Sequence, residues 1–220
     1  MTPAHPHLVW DWNGTLLNDL DLVVSSTNAA FASVGGPRIT ADEHRVRFRR
    51  PIADYYAEVL GQAVDDEAFG RLDRIFHDAY RDGLTTCVLA HDAVAAMSSW
   101  PGGQSLLSMW FHDELVPAVD THGLTSRFLR IDGLRATIGG DRKAASLTEH
   151  LAELRMDGRD VVLIGDSLDD ADAALSVGGR AVLYTGGFTD PTRLKASGHP
   201  VADTLTEAVA LAGVLGTASF

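Results

Sequence analysis

Short apolar runs and longer helical patterns alternate along the C-terminal half of the chain. The run Val161-Val162-Leu163-Ile164 is continuously apolar, which is typical of a strand buried on both faces. The segments 141–154 and 169–179, on either side of it, have helical spacing. Strands separated by single helices predict βαβ units, so we expect an α/β fold with a Rossmann-like parallel sheet and helices on both faces.

The N-terminal part of the chain breaks this alternation. The first strand pattern ends at Asp11 and the next at Ser108, an interval far longer than the roughly 30 residues of an ordinary βαβ unit. We therefore predict a small helical domain at residues 17–85, inserted into a core formed by residues 1–16 and 86–220. The helical patterns within it cover residues 23–34, 41–48, 52–60 and 67–81.

The chain has 220 residues, 45% of them apolar, which is typical of a globular protein. The apolar runs fall far short of the roughly 18 residues that a membrane span needs, and the N-terminal pattern does not indicate a secretory signal. The single cysteine, Cys87, excludes an internal disulfide. We expect a cytoplasmic protein that does not bind membranes, and the sequence makes no prediction of its oligomeric state.

The net charge of −12 argues against a nucleic-acid-binding protein, because such a protein needs a basic stripe. One locally basic stretch contains Arg45, Arg47, Arg49 and Arg50. It is either a solvated helix face or a patch that contacts an anion. Arg47 and Arg50 are therefore candidates to bind an anionic substrate.

Polar residues follow the predicted strands where a binding crevice is expected. In an open parallel sheet this crevice lies at the carboxyl ends of the strands, so Asp11, Ser108 and Asp166 should converge. Two carboxylates this close repel unless a cation or a proton lies between them. An all-oxygen site with few protein ligands suits Mg²⁺. Asp169 and Asp170 either add oxygen ligands or complement the dipole of the following helix.

An anion site is predicted next to these acids. Ser108 and the N–H groups of Met109 and Trp110 precede a helix, whose N-terminus attracts anions; Ser105 is the weaker alternative to Ser108. Lys143 opens a helix after a Gly-Gly-Asp turn at 139–141. It either neutralises phosphate and holds Asp11 ionised or is an exposed surface lysine.

These residues together resemble the four ordered motifs of the haloacid dehalogenase-like (HAD) hydrolase superfamily, in its phosphoglycolate-phosphatase-like branch. The resemblance covers the whole chain, because the helical insertion occupies the place of that family's cap. The motifs are Asp11-x-Asn13-Gly14-Thr15, Ser108, Lys143 and Gly165-Asp166-Ser167-x-x-Asp170.

The resemblance implies a phosphatase that acts on a small phosphorylated metabolite. Asp11 would be the nucleophile that forms an aspartyl-phosphate. Mg²⁺ would be held by Asp11, Asp166 and the backbone carbonyl of Asn13, with Asp170 in support. Ser108 and Lys143 would bind the transferring phosphoryl group, and the neighbouring candidates for substrate binding are Gly14, Thr15 and Met109.

Asn13 departs from the family pattern, which usually has an aspartate there as general acid and base. An amide cannot exchange a proton at neutral pH, and losing such a group costs on the order of 10²–10⁴ in rate. One alternative keeps a phosphatase that takes its proton from His112 or Asp19 or needs none. A second is a phosphotransferase or pyrophosphate-cleaving enzyme. A third is a phosphate-sensing or partner-binding protein.

Overall fold

A six-stranded parallel sheet forms the centre of the protein, which a computed structural model describes for residues 5–135 and 142–217. The strands, in chain order, are β1 (His7–Trp10), β2 (Leu17–Asn18), β3 (Val88–Leu89), β4 (Gln104–Phe111), β5 (Ile131–Leu134), β6 (Val161–Gly165), β7 (Arg180–Tyr184) and β8 (Val201–Ala202). The sheet order is β5-β4-β1-β6-β7-β8, and β2 and β3 form a separate antiparallel ribbon.

Helices cover both faces of the sheet, as predicted. They are α1 (Leu20–Ala32), α2 (Ala41–Arg47), α3 (Ile52–Leu60), α4 (Asp66–Gly83), α5 (Ala93–Ser99), α6 (His112–Thr121), α7 (Ala144–Leu154), α8 (Leu168–Ser176), α9 (Pro191–Ala196) and α10 (Leu205–Thr217). Successive residues of β1 show the two faces. Leu8 and Trp10 pack in a core that includes residues of α5, α6 and α10, whereas Val9 packs in a core that includes residues of α7, α8 and α9.

Helices α1–α4, called the cap helices below, fall between the two strands of the antiparallel ribbon. Their bounds lie within three residues of the helical patterns in the sequence. The starts of two of them are fixed locally. Thr40 and Glu43 form a capping box at α2, and the Asp65 side chain accepts the Ala68 N–H at α4. The inserted domain at residues 17–85 remains a proposal. The second strand of the ribbon, β3, ends at Leu89, four residues beyond the proposed boundary.

Strand β4 corrects one expectation from the sequence. It continues to Phe111 rather than ending near Ser108, and α6 follows directly at His112. Its pairing with β5 shifts register between Leu107 and Phe111. The reason is tertiary, because Trp110 packs against the cap with its ring centroid 4.5 Å from that of Tyr80. The Trp110 N–H is also not free for an anion, since it donates to Ser108 Oγ at 3.0 Å.

Within the two described ranges, none of the helices is long and apolar enough to cross a membrane.

Candidate active site

The turn after β1 brings Asp11 to the carboxyl edge of the sheet. The Asp11 N–H donates to the Ile164 carbonyl at 2.9 Å, which ties the turn to β6. Gly14 adopts a φ of +72°, and a Cβ there would lie 2.7 Å from Asp166 Oδ2. Glycine is therefore required both by the left-handed backbone and by the close approach of the carboxylate. The turn is closed by Asp19, whose carboxylate accepts the Gly14 N–H at 2.7 Å.

Three of the predicted acids and the predicted lysine meet at this edge. Lys143 Nζ lies 2.7 Å from Asp11 Oδ1 and 2.6 Å from Asp170 Oδ1. Asp11, Asp166 and Asp170 each offer an oxygen within 4.8 Å of the others. The Lys143 side chain is only 2% exposed, so it is not a surface lysine. The Gly-Gly-Asp turn predicted before it lies outside the described residues.

Burial and repulsion between neighbouring carboxylates raise the pKa values of two acids in this cluster. Burial raises the pKa of Asp11 to about 6, although its ion pair with Lys143 opposes the shift. Burial also raises the pKa of Asp166 well above its usual range, and Asp11 and Asp170 raise it further. Burial alone would lower the pKa of Lys143, but its two carboxylate partners raise it instead. One ammonium thus faces three carboxylates, a set that fits a divalent cation with oxygen ligands.

The individual acids differ in how freely their oxygens face the cavity. Asp170 Oδ2 accepts from Ser167 Oγ at 2.6 Å and from the Ser167 N–H at 3.1 Å, while its other oxygen binds Lys143. Asp166 Oδ2 accepts the Phe188 N–H at 2.5 Å. Both oxygens of Asp170 are therefore engaged by the protein, which is consistent with a supporting place for this residue.

The Asn13 side chain is held by three other polar side chains. Its amide nitrogen donates to Asp19 Oδ2 at 2.9 Å and to the Tyr80 hydroxyl at 2.8 Å. Its carbonyl oxygen accepts from Ser108 Oγ at 3.1 Å. An ionised carboxylate only accepts hydrogen bonds, so the nitrogen must face Asp19. Both amide hydrogens are thus used, which leaves none to donate to a leaving group.

The two candidate proton donors from the sequence occupy different positions. His112 lines a cavity apart from the acid cluster and accepts the Gly133 N–H at 3.2 Å. Asp19 lies beside Asn13 but is 1% exposed. Burial raises the pKa of Asp19 to about 6, although hydrogen bonds from Asn13, Tyr80 and Gly14 oppose the shift.

A small cavity opens above the cluster. It is lined by Ser108, Met109, Lys143 and Arg50 together with the acids, by Asn13, and by the apolar rings of Phe48 and Phe188. The other proposed substrate contacts lie elsewhere. Thr15 is fully buried with its hydroxyl 3.3 Å from Asp166 Oδ1, and Gly14 lies against the same carboxylate. Arg47 lines neither this cavity nor the larger one beside it.

Ser105, the alternative to Ser108, is fully buried in a separate network. It lies 2.8 Å from His7 Nε2 and 2.8 Å from His150 Nε2, and His150 Nδ1 lies 2.7 Å from Asp132. The structure therefore brings Ser108, not Ser105, to the acid cluster.

Sequence reasoning missed Tyr80, Phe48 and Phe188. Tyr80, on helix α4, forms hydrogen bonds with Asn13 and Asp19. Phe48, at the end of α2, and Phe188, after β7, both line the small cavity. Their spacing in the sequence does not distinguish them from packing residues, so no local signal marks them.

Fold and site together define an α/β protein with an acid and lysine centre at the carboxyl edge of a parallel sheet. The model of the HAD-hydrolase-like family matches residues 140–208. A search of curated proteins finds no match. The match covers the segment with Lys143, Asp166 and Asp170, three of the residues on which the resemblance rests.

Solved structures share the fold across nearly the whole chain. A predicted phosphoglycolate phosphatase from Haemophilus somnus 129PT is 16% identical, with a TM-score of 0.75 over 96% of this chain and 99% of that chain. A haloacid dehalogenase-like family hydrolase from Streptococcus pneumoniae is 17% identical, with a TM-score of 0.79 over 94% and 98%. A predicted phosphatase from Clostridium acetobutylicum is 18% identical, with a TM-score of 0.77 over 94% and 97%. The resemblance indicated by the motifs is confirmed, and the chain has the fold of the HAD-like hydrolases.

Proposed function

We propose that this protein is a Mg²⁺-dependent phosphatase that acts on a small phosphorylated metabolite through an aspartyl-phosphate. The observation that carries the proposal is the meeting of Asp11, Asp166, Asp170 and Lys143 in one buried cluster beside Ser108. Phosphoryl transfer needs mainly positioning and charge neutralisation, and this cluster offers both. Structural neighbours described as phosphatases support the same reaction class.

The metal would be held by the carboxylates of Asp11 and Asp166 and by the backbone carbonyl of Asn13, with Asp170 in support. When bound, Mg²⁺ supplies positive charge to the phosphoryl oxygens. The excess of carboxylate over ammonium at the site is the reason that a divalent cation is proposed.

The chain's own residues then have separate tasks. Lys143 Nζ keeps Asp11 ionised and lies where it can also bind a phosphoryl oxygen. Ser108 Oγ faces the same cavity, and its single hydrogen would turn from the Asn13 carbonyl oxygen to another phosphoryl oxygen. Asp11 attacks phosphorus, and the bond from phosphorus to the leaving oxygen breaks. Water then attacks the aspartyl-phosphate, which releases inorganic phosphate and restores the carboxylate.

Asn13 limits which esters this site cleaves quickly. Its amide hydrogens are bound to Asp19 and Tyr80, so the leaving oxygen departs without a proton from this position. The same feature favours a second candidate function, a phosphate-binding sensor with little turnover. The two functions differ in whether good leaving groups are released at all.

Hydrolysis of p-nitrophenyl phosphate and acetyl phosphate tests the proposal. We expect turnover that requires Mg²⁺ and disappears with EDTA and in Asp11→Asn. Asp21→Asn, an exposed acid on helix α1, is the matched control and should retain full activity. No turnover of either substrate by folded protein with Mg²⁺ would rule out the phosphatase and favour the sensor.

A further inference from the structure

A second cavity adjoins the small one above the acid cluster, and it lies between the cap helices and the core. Its volume is about 90 Å³, compared with about 30 Å³ for the small cavity. The two cavities share the lining residues Asn13, Phe48, Arg50, Met109 and Phe188. A phosphate ester bound at Asp11 would therefore extend its organic part into this larger space.

The larger cavity is lined mainly by aromatic rings. Several of them already contact each other, with ring centroids 4.5 Å apart for Tyr80 and Trp110 and 5.6 Å apart for Phe48 and Phe188. Such rings favour a flat aromatic guest, which can stack or meet them edge to face. The aromatic lining includes Phe48, Tyr55, Tyr56, Phe76, Tyr80 and Trp110.

Two buried nitrogens of the lining lack hydrogen-bond partners within the described part of the chain. They are His44 Nε2 and Trp110 Nε1, on side chains that are 1% and 6% exposed. A buried polar atom without a partner is costly, so a ligand with a polar substituent is favoured over a pure hydrocarbon. The other nitrogen of His44 lies 2.8 Å from the Tyr55 hydroxyl, which fixes the ring orientation.

The reacting end of the site leads independently to the same class of substrate. Asn13 offers no proton and has no free amide hydrogen, so the leaving oxygen receives no proton from this position. A phenol has a pKa of about 10, whereas an aliphatic alcohol is about as weak an acid as water and has a far higher pKa. A phenolate therefore leaves without help far more readily than an alkoxide.

We propose, on the basis of the proposed phosphatase function, that the substrate is an aryl phosphate monoester whose ring occupies the aromatic cavity. Asp11 attacks phosphorus, the bond from phosphorus to the aryl oxygen breaks, and the electron pair leaves with the phenolate. The phenolate takes its proton from water after release. A small aliphatic ester such as 2-phosphoglycolate has no ring to contact the aromatic lining, and its alkoxide leaving group needs the proton that Asn13 does not supply.

Three substrates separate the two arguments in the presence of Mg²⁺. Phenyl phosphate has a ring and a phenolic leaving group, benzyl phosphate has a ring and an alcohol leaving group, and 2-phosphoglycolate has neither ring nor phenol. We expect kcat/KM for phenyl phosphate to exceed both others by about 100-fold or more. Comparable values for phenyl phosphate and 2-phosphoglycolate would overturn the proposal, and comparable values for phenyl and benzyl phosphate would overturn its leaving-group part.

Two substitutions on helix α4 test where the ring binds. Phe76 lines the cavity, whereas Phe69 packs on the same helix against Tyr56 and does not line it. We expect Phe76→Leu to lower the ratio of kcat/KM for phenyl phosphate to that for acetyl phosphate about 3- to 10-fold. Phe69→Leu should leave this ratio unchanged. An equal fall in both variants, or no fall in Phe76→Leu, would contradict the assignment.

Binding distinguishes failure of this inference from failure of the proposed function. Calorimetry with phenylphosphonate and methylphosphonate, neither of which has a cleavable ester, measures the cavity without turnover. At least about tenfold tighter binding of phenylphosphonate supports the aromatic site even if no ester is hydrolysed. Equal affinities would overturn the aromatic site, whatever the activity toward p-nitrophenyl phosphate.

Discussion

Tyr80→Phe removes one hydroxyl that joins the cap helices to the turn after β1. This hydroxyl donates to Asp19 Oδ2 at 2.6 Å and accepts from the Asn13 amide at 2.8 Å. Tyr80 is 1% exposed and Asp19 is equally buried, so water does not readily replace the lost group. The substitution keeps the aromatic ring and its packing on Trp110.

The magnitude follows from the two hydrogen bonds that are lost. A hydrogen bond to a charged group contributes about 1.5–3 kcal/mol, and one between neutral groups contributes about 1 kcal/mol. The bond to Asp19 is of the first kind and the bond from Asn13 is of the second. We therefore expect Tyr80→Phe to lower the free energy of unfolding by about 2.5–4 kcal/mol at neutral pH.

Urea unfolding followed by circular dichroism measures this change, provided that the m-value stays constant. Tyr184→Phe is the matched control, because no hydrogen bond of its hydroxyl is found in the described ranges and its side chain is also largely buried. The control should change stability by less than about 0.5 kcal/mol. A double-mutant cycle with Asp19→Asn should give a coupling energy of at least about 1 kcal/mol.

Two results would refute this reasoning. A loss below about 0.5 kcal/mol in Tyr80→Phe would mean that the buried network does not stabilise the fold. Strict additivity with Asp19→Asn would mean that the hydroxyl and the carboxylate do not interact directly.

Three further predictions concern the site and the core. Asn13→Asp should raise kcat/KM for benzyl phosphate by about 100-fold or more and change that for phenyl phosphate much less, and an equal gain for both would argue against a missing proton donor. Lys143→Met should lower the free energy of unfolding by about 3–5 kcal/mol, because it leaves the buried carboxylates of Asp11 and Asp170 without their ammonium partner. Urea unfolding with and without Mg²⁺ should show that the metal restores part of this loss. An unchanged free energy of unfolding would contradict the ion pairs. Burial, with a smaller contribution from His150, lowers the pKa of His7 to about 4, below its value in the unfolded chain. The neutral His7 side chain therefore contributes fully to the free energy of unfolding above about pH 6.5, and this contribution is lost as the pH falls toward 4. Lowering the pH from 7.5 to 4.5 should therefore cost about 2–3 kcal/mol through this residue, and His7→Gln should lose less stability over that range than the exposed control His91→Gln; equal losses would contradict the shift.

Much of the fold follows from local patterns in the sequence. The continuous apolar run Val161–Ile164 predicts a strand covered on both faces, because only such a strand avoids placing apolar side chains in water. The helices at 41–47 and 52–60 lie within one residue of the predicted segments. Their periodicity and caps are set by neighbours in the chain, so no distant contact is needed to predict them.

The sequence also determined that Asp11, Ser108 and Asp166 meet, because strand ends of a parallel sheet share one edge. It did not determine how far β4 extends beyond Ser108. Trp110 lies in this extension of the strand and packs on Tyr80, a residue far from it in the chain. The register shift between Leu107 and Phe111 lies at this contact with the cap helices, which the local pattern does not describe.

Tertiary structure alone decided the state of Asn13 and the character of the cavity beside it. The Asn13 amide is fixed by Asp19 from the same turn, by Tyr80 from the cap and by Ser108 from β4. In the sequence Asn13 is only a residue without a proton to give. Hydrogen bonds and ring contacts act over a few ångströms in space, whereas sequence patterns report only neighbours along the chain. The sequence thus determined which residues reach the carboxyl edge, and the docking of the cap helices on the core decided which way Asn13 faces and that aromatic rings line the cavity beside it.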